Sequence, residues 1–540
     1  MKDISSTGSF IKFYLNNYIY VDKTKYIKDL IKLERVFISR PRRFGKSLTL
    51  DTIATLFETG VEPYFKGTWI YDKWKEPTYP VLRLNFLDLD KYSLEHFKQK
   101  LNAIISSFAR DINVKNYEEK VEPEDTIYFL LDELRKEKRQ IVILIDEYDC
   151  QMTANINNET LYKQFQEKIK SFYATIKNKW PIKFLGITGV TRLKDVEIFS
   201  IGSDINDITN ESAFSQLIGF TRDEIKKYYI DYLKLAASYE NKCRVEEVTD
   251  AQIESMLDMM AQNYDGYCFD EDYEKKVFNT WSVNKFFQTM VGKKKVQFGE
   301  YWYDNGGLPS ILVNYLKTHE LNIFEYLDKD KFLKVSSDDF KNPTALTTIN
   351  QNVLMCQTGY LTLRSDLNKT STVALGIPNG EIYKALNRLL ANNIFKGNTD
   401  ITDDYGRSLL EVGTVDDIIN LFNSALNSVS YDNYPIVSES SVQNMLKLYL
   451  LGAHQKVLSE VHEAKGRADL VVNTDNRRIV FEFKYAKNET EAKSKLLDAV
   501  EQIKTRDYGN IVPKKTELLR IAAVFNADPK VRAFTEFQLV

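Results

Sequence analysis

The chain has 540 residues, a net charge of −3, 43% hydrophobic and 13% aromatic residues; that is enough for about three domains with packed cores and argues against global disorder. Four cysteines (Cys150, Cys243, Cys268, Cys356) with no C-x-x-C pair, and only four histidines, argue against a disulfide framework, a zinc cluster or a His-rich metal site. No signal-peptide pattern and no apolar run near the ~18 residues of a membrane span are present, so a soluble, cytoplasmic protein with no membrane partner is expected.

In chain order, VFIS (36–39), VLRLNFL (81–87), IVILI (141–145) and KFLGITGV (183–190) read as buried strands. SLTLDTIATLFE (47–58) and LYKQFQEKIKSFYATI (161–176) have helical spacing. Their alternation predicts an α/β domain over 1–220, a parallel sheet covered by helices on both faces. Residues 221–430 read as mostly helical, with Tyr-rich irregular segments. The turn-rich NSVSYDNYPIVSES (427–440) marks a boundary. A second α/β domain then spans 431–540: a helix (441–451), the strand runs DLVV and RIVFEFK, a helix (490–506) and the strand LLRIAAVFN.

RPRRFGKS (40–47) ends like a phosphate-binding loop, but Arg40 stands where G-x-x-x-x-G-K-[ST] has its first glycine. Its context is that of a P-loop NTPase: a buried strand, a tight turn, then a helix whose N-terminal N–H groups face phosphate. Arg42, Arg43, Phe44 and Gly45 would form the loop. Lys46 would reach the β- and γ-phosphates of ATP, and Ser47 would ligate Mg²⁺. The strand IVILIDEYD ends in Asp146 and Glu147. Asp146 would hold the Mg²⁺ and Glu147 would polarise the attacking water. VLRLNFL lies between the two motifs in sequence, as expected of the P-loop class that has an added strand between them and a catalytic glutamate. KFLGITGV ends in Thr188, a candidate γ-phosphate sensor, with Arg192 just beyond.

YVDKTKYI (20–27), VFISRPRRFGKSLTL (36–50), ILIDEYD (143–149) and GITGVTR (186–192) resemble the bacterial AAA-ATPase-like family. Further matches follow in order: IGFTRDEI, YDGYCF, WSVNKF, YWYDNGG, QTGYLTL and IPNGEI. The resemblance implies that Arg40 is the family form of the loop. Cys268 stands where the family usually has arginine. Asp22 and Lys23 would either frame the nucleotide or dock the N-terminal segment.

The tail SEVHEAKGRADLVVNTDNRRIVFEFKYAK (459–487) carries a second constellation. Period-2 alternation puts Glu482 and Lys484 on one strand face and Phe481 and Phe483 on the other. A hairpin would bring Asp469 beside them. Charges on one face of an apolar strand are costly unless they bind something. Asp469 and Glu482 would hold Mg²⁺ or Mn²⁺ through oxygen ligands, and Lys484 would orient the attacking water and offset phosphate charge. The D-x(12)-E-x-K spacing resembles the PD-(D/E)XK nuclease superfamily, which implies a restriction-endonuclease-like fold. By that resemblance Glu460 is the helix-associated acid, Gln502 the downstream helix residue, and Gly466 and Arg467 the pair before the aspartate. His454 and His462 flank Glu460 and read as neighbours of the site rather than ligands. The aromatic middle (Tyr264, Tyr267, Trp281, Tyr301, Trp302, Tyr303) reads as packing.

Residues 431–540 carry 17 Lys+Arg against 15 Asp+Glu, a weak basic excess that permits a nucleic-acid partner. The sequence therefore predicts an ATPase fused to a metal-dependent nuclease acting on DNA in preference to RNA, with a homo-oligomer left open. The alternative is a nucleotide-controlled switch whose nuclease-like domain binds without cutting.

Overall fold

The computed structural model describes the chain except for 178, 194–203, 303–309, 317–322, 344, 396–404, 454, 464–465, 507 and 509–515. It forms two compact units, Met1–His319 with Phe332–Ile382, and Glu320–Lys331 with Tyr383–Val540.

The first unit is built on a parallel sheet. Its strands are β1 (Arg35–Ser39), β2 (Val81–Asn85), β3 (Ile141–Asp146), β4 (Ile182–Gly189) and β5 (Asn206–Asp207). They lie in the order β2-β3-β4-β1-β5. Every residue of β1 and β3 is buried, as expected of strands covered on both faces. The strand inserted between the phosphate-loop strand β1 and the acid-bearing β3 is β4. This corrects the reading of VLRLNFL: β2 lies at the sheet edge beyond β3. There its exposed Arg83 bridges Asp51 and Glu58 of the helix Lys46–Thr59. Chain order misleads because parallel crossovers skip positions in the sheet.

The part of this unit after the sheet is mostly helical. Helices Arg222–Tyr228, Ile230–Asn241, Asp250–Tyr264 and Thr280–Lys293 bury Tyr229, Leu233, Met256, Phe286 and Phe287 in one cluster. Ile19 and Val21 of the N-terminal segment belong to the same cluster. Reciprocal caps, Thr221 with Glu224 and Thr249 with Gln252, start two of the helices. A small antiparallel sheet, β6 (Leu333–Ser336), β7 (Thr362–Leu363) and β8 (Thr372–Gly376), is ordered β6-β8-β7.

The second unit holds β9 (Lys456–Glu463), β10 (Gly466–Asn473), β11 (Arg477–Ala486), β12 (Glu517–Asn526) and β13 (Ala533–Leu539), in the order β13-β12-β11-β10-β9. β11 and β12 are parallel, joined through the helix Glu489–Arg506; the other pairs are antiparallel. That helix packs Ala499, Ile503 and the following Tyr508 on Ala468, Val471 and Val480. The outer strands β9 and β13 extend the sheet beyond the expected runs. KVLSEVHE lacks clean alternation, and Leu458 in it is exposed.

Candidate functional site

The first site begins at the end of β1. Backbone φ is 67° at Arg43 and 107° at Gly45, so the loop makes two left-handed turns before the helix Lys46–Thr59. Arg40 replaces the first glycine by a buried anchor. Its guanidinium donates to the carbonyls of Ser39 (2.9 Å) and Thr209 (2.5 Å) and stacks 4.2 Å from the Phe269 ring. Phe44 is buried against Tyr267 and Phe269. Arg43 lies 4.0 Å over Trp281, and its carbonyl accepts from Thr280 Oγ1. The carbonyl of Arg42 accepts from Trp302 Nε1 at 3.3 Å. Trp281 and Trp302 thus support the loop, in keeping with a packing role.

Lys46 Nζ donates to the carbonyls of Arg40 (3.0 Å) and Pro41 (3.3 Å) and lies 3.6 Å from Glu147. Ser47 Oγ donates to Asp146 Oδ2 at 2.6 Å, and Thr188 Oγ1 donates to Asp146 Oδ1 at 2.5 Å. The first turn of the helix after the phosphate loop and the ends of β3 and β4 therefore meet at one carboxylate. Glu147 follows with φ 52°, an uncommon conformation for a non-glycine residue. Asp149 was not singled out in the sequence. It accepts from Thr191 N (2.7 Å), Thr191 Oγ1 (2.5 Å) and Val190 N (3.3 Å), clamping the end of β4 to the acidic turn. Arg42, Arg43, Phe44, Gly45, Lys46, Ser47 and Glu147 line a cavity of about 510 Å³ closed by Ile218–Phe220 and Tyr229. Arg192 is turned elsewhere, ion-paired to Asp207 on β5. Asp22 is structural: it accepts from Thr24 N, Thr24 Oγ1 and Trp69 N. Lys23 lines the cavity but is bound to Glu224 (2.6 Å) and the Gln216 carbonyl (2.8 Å).

The second site lies on β10 and β11. Their antiparallel register, Leu470 against Phe481, sets Asp469 beside Glu482. Asp469 Oδ2 accepts from Phe483 N at 2.8 Å, and Lys484 Nζ donates to Glu482 Oε1 at 2.7 Å. Glu482 is 0% exposed, and its Oε2 has no hydrogen-bond partner. Phe481 and Phe483 are buried and stack on each other with ring centroids 5.5 Å apart. Glu460 falls within β9, and its side chain lies outside the described residues, as do residue His454 and the side chain of His462. The helix-borne acid at the site is Glu439, in the first turn of the helix Glu439–Gly452, 3.7 Å from Lys484 Nζ. Gln502 Nε2 donates to Tyr508 Oη at 3.3 Å, and Arg506 Nη1 donates to the same hydroxyl at 3.0 Å.

Comparison with known proteins matches residues 5–199 to the family described as predicted AAA-ATPase, and 437–534 to the PD-(D/E)XK nuclease superfamily. The chain joins an AAA-ATPase-like domain to a PD-(D/E)XK nuclease superfamily domain. An uncharacterized protein in the vnfD 5′ region of Azotobacter chroococcum mcd 1 is 25% identical over 95% of this chain and 94% of its own length. Two solved structures align at 11% identity. Cdc6p from Pyrobaculum aerophilum covers 68% of this chain and 92% of its own, with a TM-score of 0.22. The Aeropyrum pernix ORC1 protein in complex with DNA covers 69% and 95%, with a TM-score of 0.27. Neither bears on what this chain does. Among the described residues, no helix is long and apolar enough to cross a membrane.

The electrostatics of the two domains differ. In the AAA-ATPase-like domain, burial raises the Glu147 carboxyl and the nearby Lys46 opposes that rise. In the nuclease-superfamily domain, burial first and Asp469 second push Glu482 up to about 7, against the pull of Lys484. Burial works to lower Lys484, but the hydrogen bond and charge of Glu482 outweigh it and hold the ammonium above its ordinary range. A buried, unpartnered carboxylate oxygen beside a second acid suits a hard divalent cation. Asp469 and Glu482 are the residues that would hold it, with Glu439 reaching the site through Lys484. Among the described residues no group of three acids, histidines or cysteines is placed to hold a metal ion, so such an ion would take most of its ligands from water.

Proposed function

We propose that the chain binds and hydrolyses ATP at the first site and cuts nucleic acid, DNA in preference to RNA, at the second. The observation that carries the reading is the charged face of β10 and β11: Asp469, Glu482 and Lys484 converge there, and Glu482 Oε2 is buried without a partner. At the ATPase site, Lys46 would exchange two loop carbonyls for phosphate oxygens. Ser47 and Asp146 would hold Mg²⁺, with Thr188 fixing the second oxygen of Asp146. Glu147, raised by burial, would take the proton of the attacking water. Arg192 would sense the γ-phosphate only by leaving Asp207.

At the nuclease site, bound Mg²⁺ or Mn²⁺ would supply charge stabilisation and a water of lowered pKa. Lys484, held by Glu482 and Glu439, would orient that water and offset charge on the phosphate. Gln502 would steady the rim through Tyr508. Such a protein would act in the cytoplasm, in defence against foreign DNA or in mobile-element biology, with a homo-oligomer free to supply an arginine in trans.

The test incubates the full chain with supercoiled plasmid and Mn²⁺ or Mg²⁺, with and without ATP, beside Asp469→Ala and Lys46→Ala. Nicking lost in Asp469→Ala is the expected result, and its loss in Lys46→Ala shows that the two sites are coupled. No cutting of plasmid, single strands or RNA under any condition would replace this reading with that of a nucleotide-controlled binding switch.

A further inference from the structure

Behind the nucleotide cavity, within the same unit, lies a second cavity of about 580 Å³. That is within the roughly 300–1,000 Å³ of small-molecule sites. Its lining is unusually aromatic: Phe10, Tyr14, Tyr18, Tyr64, Tyr228 and Tyr232 all contribute. Tyr14 stands 45% exposed, edge-on to Tyr64 with centroids 5.6 Å apart. Exposed Lys2, Lys66 and Lys227 complete the lining. Two acids reach the cavity, Asp22 and Asp231. Both oxygens of Asp22 are already engaged, by Thr24 and by the Trp69 N–H. The chemistry presented is therefore aromatic faces for a planar ring, rimmed by ammonium groups for an anion. A base with its phosphate has both parts, and base–aromatic stacking needs no sequence readout.

The position of the cavity adds a consequence. Phe13, Ile19 and Tyr20 line both cavities and form a shared wall. Tyr20 lines the nucleotide cavity together with Thr52 on the helix that follows the phosphate loop. On the other side, Tyr228 and Tyr232 line the second cavity, while Tyr229 between them lines the nucleotide cavity and stacks on Phe287 at 5.3 Å. A ligand that moves either wall also moves the nucleotide pocket.

We propose that the cavity between Tyr14, Tyr64 and Tyr228 binds a nucleobase with its phosphate, free or within a single strand, and couples that binding to the ATP site through Phe13, Ile19 and Tyr20. The proposal does not require that either site perform chemistry.

The test uses the full chain in EDTA, where no metal-dependent cutting occurs, and reads fluorescence anisotropy of a labelled twelve-nucleotide dT or dA strand. AMP serves as the free-nucleotide competitor. The variants are Tyr64→Ala and Lys66→Glu, with Lys484→Ala as the control for binding on the nuclease face. Thermal melting of each variant checks folding, and Lys66, being exposed, is the variant that leaves the fold intact. Both cavity variants should weaken binding at least fivefold, with a smaller salt dependence for Lys66→Glu. Saturating strand or AMP should shift the affinity for a fluorescent ATP analogue in the wild type and not in Tyr64→Ala. Competition by AMP identifies a free nucleotide as sufficient, and binding by strands alone identifies the single strand. The proposal is overturned if the cavity variants bind as the wild type does, if only Lys484→Ala loses binding, or if the cavity variants change self-association instead. It is also overturned if ATP affinity is measurable but unmoved by saturating ligand. Loss of ATP binding in every protein would count instead against the nucleotide site itself.

Discussion

Replacing Glu482 by glutamine should make the second unit more stable and the protein inactive as a nuclease. Burial and Asp469 raise the carboxyl from 4.5 to about 7, and each tenfold change in acidity is worth about 1.4 kcal/mol between the two protonation states. The group's folded pKa lies above its unfolded value. Stability is therefore complete below about pH 4.5, falls as pH rises toward 7, and is lower by about 3 kcal/mol above that. An amide carries no such charge, and its oxygen can still accept from Lys484 Nζ, so Glu482→Gln should recover most of this loss at pH 8. At pH 5.5 the recovery shrinks to about 1 kcal/mol by the same arithmetic. A domain of this size moves by roughly 2–4 °C per kcal/mol. The transition of the second unit in EDTA at pH 8 should therefore rise by roughly 5–10 °C. The assay is scanning calorimetry of the full chain at pH 5.5 and 8, with EDTA and with millimolar Mg²⁺ or Mn²⁺. Metal should raise the transition of the wild type and not that of the variant, since an ion that binds only the native state stabilises it by mass action. A variant no more stable than wild type at pH 8 in EDTA, or one equally stabilised by metal, would refute the claim that this carboxylate is held ready for a cation.

Glu147→Gln should keep ATP binding and lower single-turnover hydrolysis by roughly 10²–10⁴-fold, the usual worth of a positioned general base; unchanged turnover would remove Glu147 from the reaction. Glu439→Gln should lower plasmid cutting by roughly 10–100-fold, the range for groups that orient a metal site. It should also weaken Mn²⁺ binding in a titration while the melting transition in EDTA stays near that of the wild type.

The legible parts of the fold were those with a local signature. VFIS followed by GKS (36–47), and IVILI followed by Asp146–Glu147 (141–147), each encode a strand, a turn and a functional end in one short stretch, and the β10–β11 hairpin was readable from alternation in FEFK. Sheet order was not readable, because nothing in the sequence of β4 says that it inserts between β1 and β3. Glu439 was missed for a related reason. It sits in a turn-rich stretch where Ser438 caps the helix, so an acid there reads as an ordinary first-turn residue. Its partner Lys484 is far away in sequence. Glu460, expected near a helix, lies instead on β9, where the strand register sets its backbone across from Asp469. Arg40 shows the opposite case: a departure from the loop pattern explained by burial, since its guanidinium braces the loop by donating to the Ser39 and Thr209 carbonyls.

The end of β4 ties the ATP site together, and Gly189 is where that dependence can be tested. Its carbonyl accepts from Arg40 N at 3.1 Å, while the neighbouring Thr188 carbonyl accepts from Tyr148 N at 3.1 Å. One strand end thus braces both the phosphate loop and the acidic turn. A Cβ at Gly189 would meet the Tyr148 ring at 2.4 Å and Asp149 Oδ1 at 2.8 Å. Tyr148 is fully buried, and Asp149 is bound to Thr191 and Val190, so neither can give way freely. Overpacking of this kind costs roughly 1–3 kcal/mol, and the displaced residues are the two that follow Glu147. Gly189→Ala should therefore slow ATP hydrolysis, because Glu147 already sits in a left-handed conformation set by its neighbours. ATP affinity should change less, because the atoms the added Cβ would meet belong to Tyr148 and Asp149 and not to Lys46, Ser47 or the loop N–H groups. Single-turnover kinetics beside equilibrium ATP binding separate the two effects. If Gly189→Ala lost binding and hydrolysis in equal measure, the strand end would be supporting the loop alone, and the placement of Glu147 would have another cause.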